Sequence, residues 1–281
     1  MKLIVNVDDA GLHPAVNRAI EILAEKKVVT SASIVANGLA IEDAARLQGV
    51  SLGVHLDILR GQPTYHWQKV NSIVDENGAF LGGPVALFQR YAMGKVEHEH
   101  VEREWRAQIE KVMDFGIQPT HLTSHRHVHA WPTLTRMAGD LARQYEIPWV
   151  RKPEECSEIS RLDKAGLQAK FLNVCGLFSR ETTGVNWTDV FWGITDSGSE
   201  LTPQGFAAYL KRCGNADADA IVELCCCPGV TIAGDPPIPA ECNPTEISGI
   251  WRTEFESLAE NDWQGTFEAL GMTLTNFKEL S

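Results

Sequence analysis

Residues 3–11 read LIVNVDDAG, a largely apolar run that ends in two adjacent carboxylates, Asp8 and Asp9. A short apolar run of this kind, bounded by polar and glycine residues, is typical of a strand buried on both faces of a parallel sheet. Carboxylates that directly follow a buried strand are unfavourable unless something pairs with them. The segment therefore predicts a first strand whose carboxyl end carries functional groups.

The rest of the chain alternates between strand-like and helix-like segments. We predict strands at residues 3–7, 33–36, 52–56, 121–124, 149–151, 190–193 and 220–226, and helices at 14–25, 41–47, 85–93, 97–115, 134–145, 164–171 and 203–212, with closing helices after them. Such alternation implies a mostly parallel sheet and favours an α/β fold, an irregular (β/α) TIM-like barrel. We find no repeat or linker, which indicates a single domain over residues 1–281. Residues 61–84, rich in Gly and Pro, predict a long binding loop.

The composition of the chain excludes some classes of binding partner and indicates where the protein is located. The net charge of −12 argues against nucleic acid or an anionic membrane as a partner. No apolar run approaches the roughly 20 residues of a membrane span, and the N-terminal residues lack a signal-peptide pattern, so we expect a cytoplasmic protein. The seven cysteines have no C-x-x-C spacing and are interpreted as free, buried thiols. The sequence leaves assembly into a homo-oligomer open.

A second strand end carries a histidine, in GVHLD at residues 53–57. The carboxyl ends of parallel strands meet at one edge of a sheet or barrel, so we expect Asp8, Asp9 and His55 to lie near one another. The structural alternatives are a helix N-cap for one of the aspartates and a hydrogen-bonded core residue for the histidine.

The strongest signal is HLTSHRHVH at residues 121–129. If the segment is extended, its odd-numbered residues share one face, and side chains two apart lie within about 7 Å of each other. His125 and His129 would then be about 13 Å apart, too far to share a metal ion. We therefore expect one imidazole of this segment to be a metal ligand, and spacing alone does not choose which.

One carboxylate and two imidazoles with open coordination positions suit Zn²⁺ and can bind other divalent ions. Such an ion lowers the pKa of a bound water toward neutrality. A second carboxylate beside the ligand, Asp8, is then placed to take a proton from that water. This combination predicts a hydrolytic site.

Five segments, in order along the first 155 residues, resemble the YdjC-like carbohydrate deacetylases, which include the chitooligosaccharide deacetylases and the HpnK proteins of hopanoid biosynthesis. The segments are NVDDAG at 6–11 (Ala10 where Phe is usual), VTS…NG at 29–38, GVHL at 53–56, PTHLTSHRHVH at 119–129 (Thr123 where Asp is usual) and RKP at 151–153.

The resemblance implies a deformed TIM-like barrel that removes N-acetyl groups from amino sugars or short N-acetylglucosamine oligosaccharides. It implies a divalent metal ion, with Zn²⁺ or Mg²⁺ expected, bound by Asp9, His55 and His125, and it makes Asp8 the base. It also places Arg151 and His127 at the substrate.

Further residues are expected to contact the sugar or to move a proton. His129 and the flat ring of Trp131 are predicted to bind substrate, and Trp187 and Trp192 are further candidates. The family usually carries His where this chain has Cys227, in a late E-x-M-x-H-P-G-like segment, and the resemblance implies that this His protonates the leaving amine. Here the proton would come from His127 or Cys227, and a thiol cannot match an imidazolium in this role.

Two other functions stay open at this point. One is a metallohydrolase of another amide or of a phosphoester, although a phosphoester site usually is basic. The other is a metal- and sugar-binding homologue that has weak catalytic activity or none, which the missing late histidine favours.

Overall fold

The structure is a computed structural model that describes residues 1–156, 160–177, 184–214 and 217–281. The strands are β1 (Lys2–Ala10), β2 (Ser31–Ile34), β3 (Ser51–Leu56), β4 (His121–Ser124), β5 (Trp149–Val150), β6 (Val190–Trp192), β7 (Ile221–Cys226) and β8 (Thr273–Leu274). The helices are α1 (Pro14–Glu25), α2 (Ile41–Ala44), α3 (Pro84–Ala92), α4 (His98–Met113), α5 (Leu134–Gln144), α6 (Lys164–Gly176), α7 (Pro203–Cys213), α8 (Pro244–Glu260) and α9 (Trp263–Ala269).

All the strand pairs in the described residues are parallel, in the order β5-β4-β3-β2-β1-β7-β6, with β8 also on β1. The two ends of this curled sheet approach each other, because Asn186, just before β6, forms a parallel bridge with Trp149 of β5. The chain therefore forms a curled half-barrel with helices between its strands, which confirms the predicted irregular TIM-like architecture.

The two faces of β1 show how the sheet is packed. Leu3, Val5 and Val7 lie in the main apolar core with the surrounding helices. Ile4 belongs to a separate small cluster with Trp149 and Phe277. Since successive side chains of a strand point to opposite faces, Ile4 marks the inside of the curl.

Toward the carboxyl ends of the strands, the inside of the curl becomes polar. The Asn6 amide donates to the carboxylate of Asp8 at 2.9 Å and to the hydroxyl of Ser33 at 3.0 Å. Below this layer, the ring of His121 stacks on Phe277 with centroids 4.1 Å apart. The inside of the curl is therefore apolar toward the amino ends of the strands and polar toward their carboxyl ends.

Most predicted elements are confirmed to within a few residues, and the exceptions have physical causes. The second strand is Ser31–Ile34 and not residues 33–36. The polar side chain of Ser31, whose hydroxyl donates to the Ser51 carbonyl, hides the start of the strand in the sequence. Strand β8 was not predicted. The long loop after β3 contains the single 3-10 turn Trp67–Lys69. Within the described residues, no helix is both long enough and apolar enough to span a membrane.

Candidate active site

A cavity of about 400 Å³ opens at the carboxyl ends of the strands, and we call it the strand-end cavity. Its volume falls in the range of small-molecule sites, roughly 300–1,000 Å³. Its wall includes the side chains of Asp8, Asp9, His55, His125, Cys227 and Glu254. The strand ends singled out by sequence therefore meet at one place.

The predicted metal ligands Asp9, His55 and His125 converge in this cavity. Each offers one ligand atom, and these atoms lie within 4.8 Å of one another. The end of β1 makes this possible: its pairing with β2 shifts between Val7 and Ala10, and Asp9 has a left-handed backbone (φ 65°). This irregular backbone lets two consecutive carboxylates reach the same cavity.

The histidine-rich segment is extended over the predicted strand 121–124 and no further, so the condition under which the odd-numbered residues of 121–129 would share one face is not met. Residues 125–130 form tight 3-10 turns, and Arg126 and His127 have φ values of 52° and 58°. The turn points His125 at the metal ligands and carries His129 away from them. Spacing arguments based on a straight strand therefore do not apply to this segment.

His55 is fixed by a buried hydroxyl. Its Nδ1 lies 2.7 Å from Oγ1 of Thr123, and its Nε2 lies 3.5 Å from Oδ1 of Asp9. A hydrogen bond on one ring nitrogen sets the orientation of the ring and leaves the other nitrogen for a metal. Thr123, the position at which this chain departs from the family motif, thus supports a metal ligand.

Arg60 is a site residue that the sequence reasoning missed. Its guanidinium donates to both oxygens of Asp9, at 2.6 and 3.1 Å, and its Nε donates to Asp57 at 2.6 Å. Burial raises the pKa of the Asp9 carboxyl, but the charge and hydrogen bonds of Arg60 outweigh this effect and lower the pKa below its ordinary value. Asp9 is therefore ionised and paired with a cation that lines the cavity.

Asp8 is held by a different arginine, Arg151. The guanidinium donates to Asp8 at 2.6 and 2.9 Å and to Glu223 at 2.8 Å, and the Arg151 side chain is fully buried. Burial raises the pKa of Asp8, but Arg151 and the nearby ring of His55 lower it well below the usual range. The hydroxyl of Ser33 and the thiol of Cys225 also donate to Asp8, at 3.0 and 3.3 Å.

The residues present fit a divalent cation. The donor set of one carboxylate and two imidazoles is one that Zn²⁺ binds readily. Near it, the carboxylates of Asp8, Asp9 and Asp57 carry three negative charges against the two positive charges of Arg60 and Arg151. These five side chains thus carry a net charge of −1, and Glu223, which also binds Arg151, would make it more negative. A bound cation would balance this charge.

The residues predicted to contact substrate or to move a proton fall into two groups, those that line the strand-end cavity and those that do not. His127 and Cys227 lie in the wall of the cavity. Burial lowers the pKa of His127 well below its usual value, and within the described chain its Nδ1 has no hydrogen-bond partner. Burial also raises the pKa of the Cys227 thiol well above its usual value.

Arg151, His129 and Trp131 are not among the described residues that line the strand-end cavity, and their contact with substrate stays a prediction. The ring of His129 is bonded on both sides, to Ser124 Oγ at 2.6 Å and to the Arg151 carbonyl at 2.8 Å. Trp131 is 4% exposed and packs edge-on against Phe88 at a ring separation of 5.5 Å. Of the other tryptophans, Trp192 is buried and stacks on Tyr209, and Trp187 lines a small second cavity beside His129.

Comparison with known proteins places this architecture in a family. A family model described as YdjC-like protein matches residues 2–269. A carbohydrate deacetylase of Geobacillus stearothermophilus is 38% identical over 149 residues, which are 52% of this chain and 57% of that protein. The match thus spans little more than half the length of that relative.

Two further comparisons cover more of the chain. A carbohydrate deacetylase of Clostridium beijerinckii is 28% identical over 233 residues, 82% of each chain. A crystal structure from Enterococcus faecalis, described as a cellobiose-phosphate cleavage protein, has a TM-score of 0.72 and 25% identity and covers 100% of this chain and 98% of its own. From the family match and this shared fold, the chain belongs to the family of YdjC-like proteins.

Proposed function

We propose that this protein is a metal-dependent hydrolase that removes N-acetyl groups from amino sugars or short N-acetylglucosamine oligosaccharides. The observation that carries the proposal is the convergence of Asp9, His55 and His125 in the strand-end cavity, beside a second, ionised carboxylate. The relatives called carbohydrate deacetylases support the choice of substrate class.

Asp9, His55 and His125 would hold Zn²⁺ or Mg²⁺. Such an ion polarises the acetamide carbonyl and lowers the pKa of water. Thr123 keeps Nε2 of His55 directed at the site by engaging Nδ1. These four residues would thus position the ion against the acetamide carbonyl and the attacking water.

We assign Asp8 the role of base toward the attacking water. Its carboxylate is ionised at neutral pH, because Arg151 holds its pKa low. A carboxylate with a low pKa is a weak base, so this role requires a water whose own pKa a bound divalent ion would lower. Among its donors, the thiol of Cys225 is the weakest, and that thiol lies in the cavity wall next to Oδ2 of Asp8. A water that replaces the thiol contact would reach an acceptor oxygen directly. Arg151 then keeps the carboxylate fixed while it takes the proton.

The test is acetate release from a panel of N-acetylglucosamine oligomers, with and without a chelator, together with calorimetric titration of Zn²⁺. We expect chelation to abolish acetate release. Asp9→Asn should lose both metal binding and turnover, because it removes a ligand, whereas Asp8→Asn should bind metal and lose turnover. Acetate release that survives chelation would contradict the proposal.

A second candidate is a metal- and sugar-binding homologue without turnover. The observation that favours it is that Arg60 donates hydrogen bonds to both oxygens of Asp9. A metal ion that binds Asp9 must share these oxygens with Arg60 or displace it. The same experiment decides, because this candidate predicts sugar binding and metal binding by the wild type with no acetate released.

A further inference from the structure

One buried carboxyl in the wall of the strand-end cavity has no arginine partner among the residues that the structure describes. Glu254, in α8, is 2% exposed and lines the cavity. Of the buried carboxylates nearby, Asp8, Asp9, Asp57 and Glu223 are each bound by Arg60 or Arg151. Glu155 is held by the backbone amides of Ile194 and Thr195, but it is not one of the residues that line the cavity. Among the buried carboxylates that the structure describes in the cavity wall, Asp8 and Asp9 each have an arginine partner, and Glu254 has none.

The partners of Glu254 are backbone N–H groups from two separate segments. The amide of Cys227, just after β7, donates to Oε2 at 2.6 Å, and the amide of Gly198 donates to Oε1 at 2.7 Å. A carboxyl group has about four lone-pair positions, so two hydrogen bonds hold it in place without using all of them. These bonds fix the carboxyl beside Cys227 in the cavity wall.

We propose that Glu254 is the general acid of the reaction, the group that protonates the nitrogen of the leaving amine. This inference rests on the proposed function. In the step, the bond between the acetyl carbon and the nitrogen breaks, the nitrogen takes the proton from the Glu254 carboxyl, and the neutral amine leaves. Asp8 has taken one proton from the attacking water, and exchange with solvent returns both carboxyls to their starting states.

The electrostatic surroundings support this role. Burial raises the pKa of Glu254 to about 7, the two backbone hydrogen bonds lower it only in part, and Asp8 raises it further. A general acid works best when its pKa lies near the operating pH. The thiols of Cys226 and Cys227 are much weaker proton donors, because burial raises their pKa values well above the ordinary value.

Charged groups on the elements around Glu254 are directed elsewhere or are distant. Arg18 of α1 pairs with Asp235 at 2.9 Å, and His13, before α1, packs its ring against Trp251. Glu200, in the turn that follows Gly198, is exposed. Among the described ionisable side chains, the one that acts on the pKa of Glu254 is Asp8 of β1.

The first test is the pH dependence of kcat/KM for N,N′-diacetylchitobiose. A general acid must be protonated, so the wild-type value should fall as the pH rises through about 7. Glu254→Gln should lower kcat/KM by roughly 10²- to 10⁴-fold and abolish this alkaline fall. The matched control is Glu256→Gln, an exposed carboxyl two residues later in the same helix, which should leave the profile unchanged.

The second test separates proton donation from a structural role. 4-Nitrophenyl acetate has a leaving group that departs without protonation, so Glu254→Gln should hydrolyse it at nearly the wild-type rate. Equal losses on both substrates would overturn the proposal. Glu254→Asp, which keeps a carboxyl with a shorter reach, should retain the alkaline fall at a reduced rate; a profile without that fall would count against proton donation.

A readout independent of turnover is the infrared band of a protonated carboxyl. In difference spectra recorded across pH 7, the wild type should show a protonated-carboxyl component that Glu254→Gln lacks. Identical spectra of the two proteins in this region would overturn the assignment. A wild type that hydrolyses 4-nitrophenyl acetate but no N-acetylglucosamine oligomer would contradict the sugar substrate alone, and the infrared result would still decide the state of Glu254.

Discussion

Two consecutive aspartates at the end of β1 are each held by an arginine, but the two pairs differ in where the arginine comes from. Arg151 follows the short strand β5, is fully buried and also binds Glu223. Arg60 lies in the long loop after β3, lines the strand-end cavity and also binds Asp57. One pair is built into the interior of the curl, and the other is part of the cavity wall.

The interior aspartate, Asp8, also has more hydrogen-bond donors than Asp9 in the cavity wall. Asp8 accepts hydrogen bonds from Asn6, Ser33 and Cys225 in addition to Arg151. Asp9 has Arg60 as its hydrogen-bond donor and His55 nearby, within the described residues. Asp8 is therefore fixed, whereas the partner of Asp9 can be exchanged for another cation. The comparison gives a physical reason for the different roles that we propose for these adjacent, identical side chains, Asp8 as a fixed base and Asp9 as a metal ligand.

The largest effect is expected when the interior pair is broken. Arg151→Met leaves the buried carboxylates of Asp8 and Glu223 without their cation, and removing one partner of a buried ion pair typically destabilises a protein by about 3–5 kcal/mol. We expect a loss of this size in the free energy of unfolding, measured by urea denaturation of the metal-free protein.

The control for this variant is Arg103→Met. Arg103 forms a partly exposed pair with Glu99 on the surface of α4, and such pairs contribute about 0–1 kcal/mol. If Arg151→Met and Arg103→Met have the same stability, Arg151 is not the electrostatic anchor of the interior, and the contrast between the two aspartates loses its basis.

The sequence shows the strand-end residues well because each of them follows a readable strand. Asp9 and His55 stand at the ends of apolar runs, and parallel strands bring their carboxyl ends together whatever the details of packing. The choice of His125 came from the family motif, since spacing left three histidines open. The tight turn at Arg126 and His127 explains why spacing failed there.

The arginines and Glu254 were harder to place, because their roles depend on partners far away in the chain. Arg151 meets Asp8 across 143 residues, and Glu254 meets Cys227 from a helix that carries no strand-end signal. Arg60 lies in a loop without periodicity, so no sequence pattern predicts that its guanidinium reaches Asp9. Local patterns thus predict elements and strand ends, whereas pairings between distant segments need the folded chain.

A smaller effect is expected when the hydrogen bond that orients His55, a proposed metal ligand, is removed. Thr123→Val keeps the shape of a buried side chain and removes the hydroxyl that engages Nδ1 of His55. Loss of such an outer partner typically weakens metal binding by about 10- to 100-fold. We expect that decrease in Zn²⁺ affinity by calorimetry, with little change in the Arg151–Asp8 pair.

Thr120→Val is the matched control for Thr123→Val. Its hydroxyl bonds to the Leu52 carbonyl before β4 begins, away from the strand-end cavity. An affinity for Zn²⁺ that is the same in both variants would show that Thr123 does not orient the ligand.

The smallest effect, and the one opposite in sign, is expected at Arg60. A metal ion that binds Asp9 must displace or share a contact with this guanidinium, and a hydrogen bond between charged groups contributes roughly 1.5–3 kcal/mol. Arg60→Gln should therefore bind Zn²⁺ about tenfold more tightly than the wild type, a change of about 1.4 kcal/mol. The metal-free variant should be less stable, because Asp9 and Asp57 lose their cation, and its melting temperature should rise more on adding Zn²⁺.

Arg126→Gln is the control. It removes a cation of the cavity wall beside His125 but leaves the Arg60–Asp9 pair intact, so it separates competition for Asp9 from a general change in charge. If Arg60→Gln binds Zn²⁺ more weakly, Arg60 holds Asp9 ready for the metal, and the two arginines act alike after all.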